Sequence, residues 1–298
     1  MAGIKKKKWK GGVRVPWYIL FPGLFCALVA HFIAPIRGSL YAFTNYKGIG
    51  SYEYIGFRNF IEIFSSKTEI NAILNTFKIA IPFVGLTLLF GMLLALMLKS
   101  GIKSRHVLRS IYFSPVVMIP MAVAQVWKFI FDYDGPLNLV LNRIGMSEIT
   151  TNWLGNLDTS IWCVLFVLVW QNMGYSMVIF NAGLESIPEE LYEAASIDGC
   201  AGWNRFRSIT LPLLAPSFTV CVTMMTITGL RVFDQIMSLT GGGPVNMTHT
   251  LASDFYYQTW NKSRYGYGSA LALILTLLVS VVGILQVTVL QKREEMMR

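Results

Sequence analysis

The chain has 298 residues, of which 54% are hydrophobic and 14% charged, and its mean hydropathy is +0.52. Soluble domains carry about a quarter charged residues, so the composition excludes an ordinary globular domain and points to a chain that lives in lipid. The net charge of +9 comes from Lys and Arg gathered at the ends of apolar segments. That is the pattern of membrane orientation, not of a basic face for nucleic acid.

Apolar runs of roughly 20 residues predict about six transmembrane helices, at approximately 16–43, 71–98, 107–131, 159–183, 211–233 and 266–291. Before the first lies a basic tract, Lys5, Lys6, Lys7, Lys8 and Lys10. The run behind it is too long for a signal-peptide core and lacks a small-x-small cleavage site, so it reads as an uncleaved span anchored by lysines. With the N-terminus inside, inner segments hold that tract, Arg14, Lys99, Lys103, Arg105, Arg109, Arg205, Arg207, Lys292, Arg293 and Arg298. Outer segments hold Lys47, Arg58, Lys67, Arg143, Lys262 and Arg264. The asymmetry predicts both termini in the cytoplasm. Lys128, near the end of the third span, is expected to snorkel outward.

The fourth span carries Trp170-Gln171-Asn172-Met173-Gly174-Tyr175 near its middle. Polar groups at that depth need partners, water or a solute, so they mark either helix packing or a transport path. Between spans four and five lies an acidic loop with Glu185, Glu189, Glu190, Glu193 and Asp198. Ser186-x-x-Glu189 has capping-box spacing, and Ile187, Leu191, Ala194 and Ala195 share one helical face. Gly199 is a stop in a left-handed turn, and Trp203 and Phe206 can anchor a second short helix before Pro212 opens the fifth span. The acidity argues against a helix lying on the membrane surface, which favours Lys and Arg. At the outer end of the fifth span, Arg231 and Asp234 are three apart, a spacing for an ion pair, a gate or a partner contact.

The four cysteines (Cys26, Cys163, Cys200, Cys221) lack paired spacing, and the three histidines are scattered, so no metal site is expected. There is no Walker A sequence, nucleophile elbow or HExxH, and no catalytic residue is assigned.

Two segments carry a family resemblance. Glu193-Ala194-Ala195-x3-Gly199-x9-Ile209-x-Leu211-Pro212 resembles, position for position, the EAA motif of permease subunits of ATP-binding-cassette importers. Phe233-Asp234-Gln235-x3-Leu239-Thr240-Gly241-Gly242-Gly243-Pro244, leading to Thr248-x-Thr250-Leu251, resembles the LTxGGP segment of the maltose-permease-like, carbohydrate-importing branch. The resemblance implies an all-α integral membrane protein of the type I importer permease fold. Residues 1–70 would hold the cytoplasmic tail, first helix and outer loop, and 71–291 the transport core, with a coupling helix at about 186–203. Residues 292–298 would be a cytoplasmic tail.

The same resemblance implies a bacterial plasma membrane location and four kinds of partner. These are a second, different permease, an ATPase dimer that binds ATP and Mg, an extracytoplasmic sugar-binding protein, and membrane lipid. Glu193, Ala194, Ala195, Asp198 and Gly199 would couple to the ATPase, and Gly242, Gly243 and Pro244 would lie near the binding protein. Sugar-holding positions in such permeases match Trp170, Met173, Gly174 and Met177 on one helix and Met225, Gly229 and Val232 on another. Few of these carry hydrogen-bonding groups, so either Gln171, Asn172 and Thr228 serve, or the partner subunit holds most of the sugar. A glycerol phosphate ester is the alternative cargo. A secondary transporter would need mid-membrane carboxylates that spans two to four lack.

Overall fold

The computed structural model describes Tyr18 and residues 20–99 and 102–297, with side chains to residue 292. The lysine tract, Arg14 and Arg298 fall outside the described residues. Four helices are long and apolar enough to cross a membrane: α1 (Leu20–Phe43), α3 (Lys67–Lys99), α7 (Ser160–Glu185) and α13, which crosses over Tyr265–Lys292. Between α1 and α3 lies the short α2 (Arg58–Ser65). Two bent pairs bring the crossings to as many as six if each is one span: α4 (Arg105–Val117) with α5 (Pro120–Ile130), followed by the short α6 (Pro136–Arg143), and α9 (Gly202–Leu213) with α10 (Ala215–Leu230).

The predicted third span, 107–131, is therefore not one helix. α4 and α5 meet at 98°. Pro120 cannot donate a backbone hydrogen bond and drives the residue before it out of the helical region. Met118 and Ile119 are extended, with ψ of 143° and 126°. The predicted fifth span is likewise corrected. Pro212 lies inside α9, and the chain turns by 68° at Leu214 before α10 opens with Pro216 in its first turn. α10 then ends at Leu230, so Arg231, Val232 and Phe233 are outside it.

α7 is the centre of the bundle. It packs on α3, α4 and α10, and 61% of its most apolar window is buried, against none of that of α1. The main core contains Phe83, Leu168, Met177, Phe180, Leu184, Leu214 and Ile236. Gly174 lets α4 approach α7 closely, because a Cβ there would overlap the Tyr112 carbonyl oxygen. A smaller core (Ala42, Ile63, Leu251, Tyr267, Leu271) joins α1 and α2 to α13 and to the short α12 (Leu251–Tyr256).

Candidate functional site: a cavity at the helix break and the Glu193 helix

Where α4 and α5 separate, the free carbonyl of Met118 meets α7. Gln171 Nε2 donates to it at 3.2 Å, and Gln235 Nε2 donates to Gln171 Oε1 at 3.0 Å. Gln235 belongs to α11 (Asp234–Leu239), which packs on α5. This chain of amides holds three elements around a cavity of about 350 Å³. That volume falls within the range of roughly 300–1,000 Å³ typical of small-molecule sites. Its polar lining is Gln171, Asn172, Thr228, Arg231, Asp234 and Gln235. Asn172 Nδ2 and the Thr228 hydroxyl each donate back to their own helix, at 2.9 Å, to Leu168 and Met224. The Asn172 oxygen and the Thr228 lone pairs remain available to a guest.

Arg231 and Asp234 face the same cavity, but the expected intrahelical pair is absent. The only ion pair among the described residues joins Arg264 to Glu62 at 2.6 Å. The physical reason is the break at Arg231–Phe233, which takes the two side chains off a common helical register.

The Gly-Pro segment follows α11 in the chain. Gly241 and Gly242 have φ of 60° and 90°, in the region that favours glycine. Thr248 donates to the Gly243 carbonyl at 2.7 Å, and Asn75 of α3 donates to the carbonyls of Met247 and His249. Thr250 Oγ1 then donates to the Val232 carbonyl at 2.9 Å. The segment around Gly242, Gly243 and Pro244 is thereby tied both to α3 and to the cavity wall.

Of the remaining predicted path residues, Val232 lines this cavity and the others do not. Trp170 packs edge-on against Trp127 with centroids 5.4 Å apart. Met177, Met225 and Val232 are buried, and only Val232 of the three lines the cavity. Gly229 faces α3, where a Cβ would come within 2.9 Å of the Phe83 ring.

Just beyond the C-terminal end of α7, the motif residues form α8 (Glu189–Ile197). The expected capping box is not made: Pro188 is the N-cap, and the Ser186 hydroxyl donates to the Gly183 carbonyl at 2.7 Å. The inward face is Ile187, Tyr192 and Ala195, while Leu191 and Ala194 are exposed. Gly199 ends the segment at φ 72°, in the left-handed turn expected of it, and Cys200 N closes on the Ala195 carbonyl at 2.8 Å. The side chains of Glu193, Ala194 and Asp198 are exposed, and among the described residues neither carboxylate forms an ion pair.

Tyr192 ties α8 to the bundle and was not singled out from the sequence. Lys99 of α3 lies over its ring at 4.2 Å and donates to the Leu184 carbonyl of α7 at 3.4 Å. The Tyr192 hydroxyl is 3.3 Å from that of Thr210. The available signal was its position three residues before Ala195, on the same face.

The family described as the binding-protein-dependent transport system inner membrane component matches residues 87–295. The chain belongs to this family. The permease is 33% identical over 292 residues to the probable starch degradation products transport system permease protein AmyD of Thermoanaerobacterium thermosulfurigenes, covering 97% of this chain and 98% of that relative. It is 32% identical to the multiple sugar-binding transport system permease protein MsmF of Streptococcus mutans, covering 93% and 96%. A crystal structure of a bacterial alginate ABC transporter, in complex with an alginate pentasaccharide-bound periplasmic protein, contains a chain of the same fold. Its TM-score is 0.82 at 24% identity, over 93% of this chain and 94% of that one. The permease is thus an all-helical membrane subunit of an importer family, with α8 just beyond the C-terminal end of α7 and the cavity beside the middle of α7.

Proposed function

We propose that the permease forms half of the translocation path of an ATP-driven carbohydrate importer, for a mono- or oligosaccharide delivered by an extracytoplasmic binding protein. One observation carries this reading: the cavity at the α4–α5 break is lined by neutral amide and hydroxyl groups of Gln171, Asn172, Thr228 and Gln235. Such groups both donate and accept, as sugar hydroxyls require. The printed cargoes of AmyD and MsmF, starch degradation products and multiple sugars, support it.

In this reading the transport core is 71–291, both termini are cytoplasmic, and a different second permease completes the path. ATP and Mg are held by a separate ATPase dimer, on which the exposed face of α8 docks through Glu193, Ala194 and Asp198. Movement of α8 would reach α3 and α7 through Tyr192, Lys99 and Leu184. α7 carries that movement to Gln171 and the break. The chain itself performs no chemistry.

Arg231 favours a second cargo, an anionic solute such as a glycerol phosphate ester, although Asp234 in the same cavity offsets its charge. The test is ATP hydrolysis by the reconstituted complex of this permease with its partner permease, ATPase and binding protein. Stimulation is measured across sugars and glycerol phosphate esters. A carbohydrate that stimulates turnover supports the proposal; stimulation by phosphate esters and by no carbohydrate overturns it.

A further inference from the structure

Beside α8 a second cavity, of about 220 Å³, lies between the ends of three helices. Lys99 closes α3, Arg105, His106 and Arg109 open α4, and Asn181 and Glu185 lie on the last turns of α7. Three permanent cations thus face one carboxylate. Among the described residues none of the three forms an ion pair, although Glu185 shares their cavity; it accepts instead from Asn181 at 3.3 Å. Arg105 and Arg109 are one turn apart, so their guanidinium groups reach the same space.

The N-terminus of α4 adds to the field. Its N-cap, Ser104, makes no side-chain cap, so the positive end of the helix that carries Arg105 and Arg109 is not offset by a capping oxygen. Membrane orientation requires only that Lys and Arg collect in the loops of one side. It does not require a lysine of one helix and two arginines of another to converge on one cavity that holds a single carboxylate.

We propose that this cavity is a binding site for a phosphate group at the depth of the lipid headgroups. All six lining residues named sit at or near helix ends, which is where headgroups lie. Guanidinium groups match phosphate oxygens in pairs, and Lys99 adds a point charge. Two sources carry that chemistry, an acidic phospholipid and a free phosphate. The proposal stands apart from the cargo, because it concerns the end of the bundle away from the amide-lined cavity.

The test uses the full chain in detergent, with bound phosphatidylglycerol and phosphatidylcholine counted by native mass spectrometry. A parallel titration adds inorganic phosphate to the chain in phosphatidylcholine nanodiscs. Each charged hydrogen bond lost should weaken binding by about tenfold or more. Arg105→Gln with Arg109→Gln is therefore expected to lower phosphatidylglycerol retention at least tenfold, while Lys103→Gln with Arg207→Gln, on exposed side chains outside the cavity, leaves it within about twofold. Should the arginine pair fail to fold, Asn181→Asp adds a carboxylate to the same wall and is expected to weaken binding similarly. Binding of inorganic phosphate with the same dependence on these variants assigns a free phosphate. Equal loss from both pairs, or equal retention of the two lipids with no phosphate bound, overturns the proposal.

Discussion

Gln171 is where the transport cavity and the stability of the bundle meet, and Gln171→Leu tests that link. The side chain is 4% exposed and holds two bonds at once, one to the Met118 carbonyl and one from the Gln235 amide. Leucine fills the space but leaves both partners without a bond. At about 0.5–1.5 kcal/mol net per bond, with part of each orphan's desolvation added, the expected loss is about 2–3 kcal/mol. Gln235→Leu removes one bond and leaves the Gln171 oxygen beside the cavity, so it should cost about 1 kcal/mol. Because the two changes share a bond, the double variant should fall short of the sum by about 0.5–1 kcal/mol. The assay is equilibrium unfolding of the full chain in mixed micelles with added SDS, followed by tryptophan fluorescence. Equal costs for the two single variants, or additivity to within about 0.3 kcal/mol, would refute the reasoning.

Three further outcomes follow. Gly174→Ala should destabilise the fold in the same assay by about 1–3 kcal/mol or more, because the new methyl meets the backbone at Tyr112 and has no side chain to push aside; a neutral result would mean that α4 is not held against α7. Gly199→Ala has open space around it, so it should cost about 1–2 kcal/mol of left-handed backbone strain alone, and Gly199→Asn should cost clearly less, because Asn tolerates that region. Asp254, in α12, has its carboxyl raised to about 6 by burial first and by neighbouring Glu69 second. A pKa higher in the folded than in the unfolded state means stability is fully present below the usual value near 3.8 and is lost as pH rises through the folded value. Asp254→Asn should therefore stabilise the fold at pH 7 by an amount on the order of 1–3 kcal/mol, read as a higher thermal midpoint, while changing little at pH 4, and an equal gain at both would count against it.

Several local features were legible because their causes are local. A left-handed glycine at Gly199 follows from steric exclusion of Cβ. An outward Glu193 follows from helical spacing beside a buried Ala195. The break at Met118–Ile119 had its marker in Pro120, yet hydropathy runs unchanged across 107–131, and hydropathy cannot register a 98° turn. The same limit applies to Arg231 and Asp234. Their spacing of three implies contact only if the helix continues between them, and the tie from Thr250 to the Val232 carbonyl belongs to a loop that follows 18 residues later. Trp170 shows the reverse case: an aromatic suited to a sugar is drawn into an edge-on contact with Trp127, 43 positions away in the chain.

What the sequence determined by itself was the number of crossings, the acidic segment between the fourth and fifth, and the family. Each of these rests on composition or on spacing within about 20 residues, the length that the lipid core imposes. What only the tertiary structure decided was which polar groups face one another. Gln171 lies 64 positions from Gln235 and 53 from Met118. No local pattern encodes those distances, because a buried amide takes whichever partner the packing of α3, α5, α7 and α11 brings within reach.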